Sequence, residues 1–225
     1  MNYSNPISTE QSLQLPSNIK RITFKLIVIG DIYVDKSCML SRLISNTFTE
    51  EHSCSIGVEF KYKTIEYKDN AKVELALWDT CGEERFKALT KQYYRDSQGV
   101  LLVFDVTNRK SFDNLKGWLK DIEKSEEEIE VFIFGNKNDL DNRVVSKEEI
   151  EQFSKENNIR YYYDISSKKG FDREKIFTDI ASGLVEKFTQ SMKNIKDYHV
   201  DSIVLKAQKN NEVNKCCSYV NKTII

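Results

Sequence analysis

The strongest constraint on the fold is a regular alternation of strand-like and helix-like stretches. Strand character recurs six times, at residues 22–29, 58–62, 73–77, 100–106, 131–134 and 161–163. Most of these runs are largely apolar, which is typical of strands buried on both faces, whereas the second and third alternate apolar and polar residues. Helical stretches lie between them, at residues 36–46, 112–124, 146–157 and 172–188. The pattern predicts an α/β fold with a mostly parallel six-stranded sheet, in which the alternating pair supplies one antiparallel edge strand.

Composition excludes several classes of protein. Lys and Arg number 34 and Asp and Glu number 35, so the net charge of −1 gives no support to nucleic-acid binding. No apolar run approaches the ~18 residues of a membrane span. Five scattered cysteines do not form a disulfide framework, and we therefore expect a reducing, cytoplasmic compartment.

The two ends of the chain differ in composition from the region between them. Residues 1–20 hold both prolines in a stretch rich in Ser, Asn and Gln, which predicts a flexible N-terminal arm. Residues 189–225 are rich in Lys and Asn and are predicted to form a flexible C-terminal tail. A single domain is therefore expected over residues 21–188.

Polar residues follow the predicted strands, at the sheet edge where such folds bind ligands. The first strand leads to Gly30 and then to Lys36 and Ser37 at the start of a helix, which is the spacing of a phosphate loop (residues 30–37). Backbone N–H groups cradle phosphate in such a loop, the lysine adds a cation, and the serine hydroxyl can bind Mg²⁺. Asp35 stands where the second glycine of the motif belongs, and taken alone the run could also be a chance turn.

Three further strand ends favour a nucleotide site. The third strand runs into Asp79, which is well placed to hold a metal-bound water, and Gly82 lets a backbone N–H approach a terminal phosphate. The fifth strand leads to a base loop (residues 136–139), in which Asp139 can accept from both N1–H and the N2 amino group of guanine. Adenine lacks that donor pair and would leave the carboxylate unpaired. Residues 166–168, after the last strand, add contacts on the base side.

Together these motifs resemble those of Ras-superfamily small GTPases, and specifically of the Rab family. The Rab-like runs are residues 55–60, 78–86, 93–97 and 102–107, and the similarity covers roughly residues 22–188. The resemblance implies a P-loop NTPase-type three-layer fold with about five helices. It also implies a switch in vesicle and membrane traffic that binds GTP or GDP with Mg²⁺. Two loops, near residues 48–60 and 80–95, would order around the γ-phosphate and present a surface to partners.

By matching position, the resemblance assigns roles to individual residues. Ser37 and Ser55 would bind Mg²⁺, with Asp79 acting through water, and Phe48 would lie against the guanine. The nucleotide site would comprise Gly30, Asp31, Ile32, Tyr33, Val34, Asp35, Lys36, Ser37, Cys38, Phe48, Ser55, Asp79, Gly82, Asn136, Lys137, Asp139, Ser166, Ser167 and Lys168. The partner surface, for effectors, an exchange factor and an activating protein, would comprise Ile56, Gly57, Val58, Glu59, Phe60 and Trp78. The protein is expected to be a monomer without a nucleic-acid partner.

The phosphate loop departs from the family pattern at three positions. Ile32, Tyr33 and Asp35 stand where relatives carry small residues, and glycine there is used for positive φ and close backbone approach. A β-branched residue in the left-handed conformation costs about 1–2 kcal/mol. At ~5 Å from a phosphate oxygen and an effective dielectric of ~20, the Asp35 carboxylate would repel it by about 3 kcal/mol, or roughly a hundredfold in affinity. Binding is expected to survive in weakened form.

A further departure concerns catalysis. Glu83 replaces the glutamine that orients the attacking water in relatives. A carboxylate cannot donate to the γ-phosphoryl oxygen while it accepts from water, so slow or negligible intrinsic hydrolysis is expected. The alternative is that Glu83 is simply an exposed loop residue and that a partner rescues hydrolysis.

The end of the chain also departs from the family pattern. Cys216 and Cys217 resemble the double-cysteine tail that Rab proteins use for geranylgeranylation, but eight residues follow the pair. Two prenyl chains would give stable attachment to the cytosolic face of an endomembrane or the plasma membrane. Without modification the protein would remain in the cytoplasm, and the sequence leaves both alternatives open.

Three functions compete. The first is a Rab-like GTPase that cycles slowly. The second is a pseudo-GTPase, a binding module that keeps the fold and the partner surface but binds nucleotide poorly or not at all. A P-loop kinase for small molecules is disfavoured, because residues 78–86 and the base loop have no role in it. Retained guanine-nucleotide binding with poor hydrolysis is the function that the sequence favours.

Overall fold

The computed structural model describes residues 15–16, 19–49, 59–80, 94–125 and 127–196. Within these residues one sheet is formed by β1 (Arg21–Ile29), β2 (Glu59–Glu66), β3 (Lys72–Asp79), β4 (Gly99–Asp105), β5 (Glu130–Asn136) and β6 (Tyr161–Asp164). The same residues hold the helices α1 (Lys36–Ser45), α2 (Arg109–Asp113), α3 (Leu115–Glu123), α4 (Lys147–Glu156) and α5 (Arg173–Lys196). A single 3-10 turn, Lys68–Asn70, lies between β2 and β3.

The strands are ordered β2-β3-β1-β4-β5-β6 across the sheet. β2 is antiparallel to β3, and every other neighbouring pair is parallel. This topology confirms the predicted fold class, including the antiparallel edge strand. Because β3 lies on one side of β1 and β4 on the other, the order reverses at β1, and folds of this type bind ligands beyond the carboxyl ends of such strands.

Two apolar clusters, one on each face of the sheet, hold the three layers together. Alternate residues of a strand face opposite sides, so Leu26 and Val28 of β1 belong to one cluster and Ile27 and Ile29 to the other. The first cluster takes its helical residues from α1 and α5, and the second from α2, α3 and α4. The central strand is therefore buried on both faces, as its largely apolar sequence predicts.

Helix α5 differs from the predicted helix at its end, because it continues past Phe188 to Lys196. Thr189, at the start of the predicted tail, is buried, and its hydroxyl donates to the carbonyl of Val185 at 2.9 Å. A threonine that bonds back to the preceding turn leaves the helix intact. The polar composition of this stretch predicts a helix end at Phe188, which is eight residues too early. Leu15, within the predicted arm, is buried in the first cluster. Neither α5 nor another helix of the described chain is long and apolar enough to cross a membrane.

Hydrogen bonds at the start of α4 fix the chain beyond the base loop. The Ser146 side chain accepts from the N–H of Glu149 at 3.1 Å, and the Glu149 carboxylate accepts from the N–H of Ser146 at 2.9 Å, which is a capping box. Arg109 of α2 donates to both Glu149 oxygens, at 2.8 and 3.0 Å, and to the carbonyl of Val144. The bond from Arg109, followed by the cap bond, lowers the pKa of Glu149 to about 2.

We predict that Arg109→Gln raises the pKa of Glu149 toward its ordinary value of 4.5. Because the folded-state pKa is depressed, the stabilisation from this carboxylate is present above about pH 4.5 and is lost as the pH falls toward 2. An NMR titration of the Glu149 carboxyl carbon measures the midpoint directly. Lys155→Gln, which breaks an exposed ion pair with Glu151 on the same helix, is the control and should leave that midpoint unchanged. An unmoved midpoint in Arg109→Gln would contradict the assignment.

Candidate functional site

The phosphate loop has the backbone conformation of a glycine-rich loop at several positions. Gly30 has a φ of +143° and approaches β4 so closely that an added Cβ would lie 2.1 Å from the carbonyl oxygen of Val103. Tyr33 and Asp35 both have a φ of 63°, in the left-handed region that favours glycine. Ile32 lies outside that region, so the strain expected for a β-branched residue does not arise there. The loop therefore keeps a glycine-type shape with non-glycine residues at two positions.

Lys36 is buried at the first position of α1. Its ammonium donates to the carbonyls of Gly30 at 3.1 Å and Asp31 at 2.7 Å, which holds the positive charge against the loop. Asp35 is the N-cap residue of this helix, but its side chain makes no cap hydrogen bond. The N–H groups of the first turn of α1 are consequently not taken by Asp35, and such groups bind phosphate.

Asn136 joins the base loop to two other loops at the same sheet edge. The residue is fully buried, and its side-chain amide donates to the carbonyl of Val34 at 3.1 Å. Its side-chain oxygen accepts from the N–H of Ser167 at 3.0 Å and from the Ser167 hydroxyl at 2.9 Å. One amide thus connects the phosphate loop, the base loop and the loop after β6.

Lys137 of the base loop contacts two carboxylates and the phosphate loop. Its ammonium donates to the carbonyl of Tyr33 at 2.6 Å and lies 3.0 Å from the Asp105 carboxylate and 3.4 Å from that of Asp35. The substituted Asp35 therefore has a cationic partner. The roles of Asp105 and of this ion pair were missed at the sequence level, because the residues involved are far apart in the chain.

The predicted base-binding residues lie together beyond β5 and β6. Asp139 is partly buried, and within the described residues neither a hydrogen bond nor an ion pair engages its carboxylate. Ser166 and Ser167 are buried, whereas Lys168 is exposed. Arg42 of α1 donates to the carbonyls of Ser167 at 2.8 Å and Lys168 at 2.9 Å, so it fixes this loop against the helix. The sequence contained no signal for Arg42.

The side chain of Asp31 points to α3 instead of lying along the loop. Its carboxylate accepts from the indole N–H of Trp118 at 2.9 Å and from the side-chain amide of Asn114 at 2.6 Å. Its backbone carbonyl accepts from Lys36. Asp31 therefore anchors the phosphate loop to the following helical layer, and it can contribute to a phosphate site through its backbone.

The other predicted ligands of the described chain lie at the end of β3, in α1 and in the segment after α1. Asp79 is the last residue of β3 and is fully buried. Ser37 lies in the first turn of α1, and Phe48 is partly buried in the segment that follows this helix. The Cys38 thiol is half-buried and lies 3.8 Å from the carbonyl of Thr49. Desolvation by burial raises the pKa of Cys38, which favours the neutral thiol over a metal-binding thiolate.

Part of the predicted partner surface forms an aromatic cluster on β2 and β3. Phe60 is exposed, and its ring lies 4.9 Å from that of Trp78, its register partner. Tyr62 extends the cluster, since its ring lies 4.3 Å from that of Phe60. The two-residue spacing along β2 could have indicated Tyr62, because it shares a face with Phe60. Glu59 opens this strand.

Several predicted functional residues lie outside the described residues. They are Ser55, Ile56, Gly57, Val58, Gly82, Glu83, Cys216 and Cys217. Their assignments remain predictions from the sequence.

The residues that are described fit a guanine nucleotide with Mg²⁺. Lys36 lies buried against the loop carbonyls, and the Asp35 side chain does not cap the N–H groups at the start of α1. On the base side, the Asp139 carboxylate has the chemistry to accept from guanine. The nearby Asp35 charge opposes phosphate, and Lys137 offsets it in part.

Comparison with known proteins identifies the class. Residues 25–186 match the Ras family. The chain is 43% identical over 174 residues to "Ras-related protein Rab-1" of Theileria parva, covering 76% of this chain and 78% of that protein. It is 36% identical over 204 residues to "Ras-related protein RABE1e" of Arabidopsis thaliana, covering 87% and 93%. It is 40% identical over 171 residues to "Ras-related protein Rab-8B" of Homo sapiens, covering 75% and 82%. The chain belongs to the Ras superfamily of small GTPases and, within it, to the Rab family.

We predict that Gly30→Ala destabilises the fold by about 3 kcal/mol or more, because the new methyl group would collide with a backbone carbonyl at a strained φ. Gly117→Ala is the matched control, since an added Cβ in α3 meets nothing within 4 Å. That change should be neutral or stabilise by up to about 1 kcal/mol. Urea unfolding of both variants measures the difference. A Gly30→Ala protein as stable as the parent would contradict the close approach to β4.

Proposed function

We propose that this protein is a Rab-type guanine-nucleotide switch in membrane traffic, which binds GDP and GTP with Mg²⁺ and hydrolyses GTP slowly. The observation that carries the proposal is the junction at Asn136, where one buried amide bonds both the phosphate loop and the loop after β6. Residues with the chemistry to hold phosphate and residues with the chemistry to hold guanine therefore share one sheet edge.

On the phosphate side, Lys36 would neutralise phosphate charge and the first-turn N–H groups of α1 would donate to phosphate oxygens. Ser37 and Ser55 would bind Mg²⁺ directly and Asp79 through water. Mg²⁺, when bound, neutralises charge on the β- and γ-phosphoryl groups during transfer to water. The burial of Asp79 supports its role, because a carboxylate shielded from solvent orients a bound water strongly.

On the base side, Asp139 would accept two hydrogen bonds from guanine. Ser166, Ser167 and Lys168 would contribute backbone and side-chain contacts on a loop that Asn136 and Arg42 hold in place. An adenine would leave the Asp139 carboxylate without its two donors, and this loss of pairing gives the selectivity.

Hydrolysis is proposed to be slow because of Glu83. A carboxylate at this position accepts from the attacking water but cannot donate to the γ-phosphoryl oxygen, and it repels the charge that develops there. Hydrolysis at a useful rate would then depend on a donor from an activating protein.

The aromatic cluster of Phe60, Tyr62 and Trp78 supports binding of effector and regulatory proteins, because exposed aromatic groups are enriched at protein interfaces. Cys216 and Cys217 are the proposed sites of prenylation, which would attach the protein to the cytosolic face of a membrane.

A pseudo-GTPase is the second candidate. The specific observation in its favour is the left-handed backbone of Tyr33 and Asp35, with a carboxylate held beside the phosphate loop. Such a protein would keep the aromatic cluster as its functional surface and bind its partners without nucleotide.

The direct test is the nucleotide content of the purified protein. Protein prepared without added nucleotide is denatured, and GDP and GTP are quantified by chromatography; we expect near-stoichiometric guanine nucleotide with a substantial GTP share. Asp139→Ala should lower the affinity for GDP by about a hundredfold or more, whereas Asp141→Ala, at an exposed position nearby, should not change it. A folded protein that is empty and does not take up GTP with Mg²⁺ would leave only the pseudo-GTPase.

For catalysis, we predict that Glu83→Gln raises the rate of single-turnover GTP hydrolysis by roughly tenfold or more, because the amide restores a donor to the γ-phosphoryl oxygen. Glu84→Gln removes the same charge from the adjacent position and is the control. Phosphate release from GTP-loaded protein is the measurement. If both variants hydrolyse GTP at the parental rate, Glu83 is not what limits hydrolysis.

A further inference from the structure

We propose that the Asp35 carboxylate has two roles in the phosphate loop. Through Lys137 it holds the loop in its phosphate-binding shape when no nucleotide is present, and its charge weakens the binding of phosphate. Because it concerns regulation of the same site, the effect on nucleotide rests on the guanine-nucleotide binding proposed above.

The contacts of Lys137 place Asp35 in a compact charged group. The Lys137 ammonium lies between two carboxylates, 3.0 Å from Asp105 and 3.4 Å from Asp35, and donates to the carbonyl of Tyr33 at 2.6 Å. Lys137 of the base loop therefore contacts the phosphate loop at both of its left-handed non-glycine residues, 33 and 35. A glycine at position 35 would allow the same backbone conformation, but it could not form the ion pair with Lys137.

The backbone of Asp35 explains why its carboxylate is available to Lys137. An aspartate at a helix N-cap ordinarily has an extended backbone and accepts from an N–H of the first turn. Asp35 instead has φ 63° and ψ 45° and makes no cap hydrogen bond. The Asp35 carboxylate thus does not cap the first-turn N–H groups, and its negative charge is fixed beside them.

The charge balance gives this contact two opposite effects. The side chains of Lys137, Asp35 and Asp105 are only 22%, 13% and 10% exposed, so water and salt screen them weakly. Lys137, Asp35 and Asp105 together carry a net charge of −1, whereas the Lys137–Asp105 pair alone would be neutral. The empty loop gains an ion pair, and an incoming phosphate meets one additional negative charge.

The test compares Asp35→Asn with the parent protein. Asparagine tolerates the left-handed conformation and keeps the size of the side chain, so the change removes the charge and little else. Asp69→Asn is the matched control, because Asp69 is also an aspartate with positive φ, 57°, and lies exposed in the turn after β2. Nucleotide is removed with EDTA and alkaline phosphatase, and its removal is verified by chromatography. Melting temperatures and the affinity for a fluorescent GDP analogue with Mg²⁺ are then measured.

We expect empty Asp35→Asn to melt about 2–4 °C below the parent and to bind GDP roughly tenfold more tightly. Asp69→Asn should match the parent in both measurements. Lys137→Gln tests the route: if Asp35 stabilises the empty loop through Lys137, the double variant Asp35→Asn/Lys137→Gln melts no lower than Lys137→Gln alone.

An Asp35→Asn protein that melts like the parent when empty, or that binds GDP no more tightly than a parent which does bind it, would overturn the inference and leave the proposed function standing. If neither protein binds GDP, the proposed function is wrong. The melting temperatures of the empty proteins then decide whether Asp35 stabilises the loop through Lys137.

Discussion

The buried side chain of Asn136 makes the contacts on which the proposed nucleotide site depends. Its amide bonds Val34 in the phosphate loop and Ser167 in the loop after β6, and it lies itself at the end of β5. Removal of this side chain would leave buried donors and acceptors without partners in two loops, which costs more than the bonds themselves contribute. These loops meet because β1, β5 and β6 are parallel and end at the same sheet edge. The arrangement of these loops is thus a consequence of strand order.

The phosphate loop shows how a backbone shape can persist without the residue type that usually supports it. Tyr33 and Asp35 occupy left-handed positions that together cost on the order of a few kcal/mol. Such strain persists only where the surroundings fix the backbone from several directions. Here Lys137 binds the carbonyl of Tyr33 and the carboxylate of Asp35, Asn136 binds the carbonyl of Val34, and Trp118 binds Asp31. The loop is held by residues of other strands and helices, so the loss of glycines changes its energy more than its form.

The features that could be predicted from the sequence are those encoded locally. Apolar runs and their alternation predict the six strands and the antiparallel edge, which the structure confirms, and the spacing from Gly30 to Lys36 predicts a phosphate loop. The predicted end of α5 is wrong, because the sequence does not distinguish a buried threonine that bonds to its own helix, such as Thr189, from a surface threonine. The pairs Asp35–Lys137 and Asp31–Trp118 could not be predicted, since 102 and 87 residues separate their members and their contact depends on side-chain direction at one sheet edge. Local sequence patterns predict helices and strands, whereas the ion pairs of the site depend on how those helices and strands pack.

The proposed nucleotide site and the aromatic cluster both reach the end of β3, but they lie on opposite faces of the sheet. A residue of one can therefore change without a change in the other. Trp78 and Asp79 are successive residues of the strand, so their side chains point to opposite faces of the sheet. Asp79 is buried at the edge where the predicted phosphate and metal ligands lie, while Trp78 packs against the exposed Phe60 of the edge strand. Tyr33 and Asp35 contact Lys137, which follows β5 and so lies on the far side of β1 from β2 and β3. A change of charge at position 35 therefore acts on the contact with Lys137 and not on the ring contacts of the aromatic cluster.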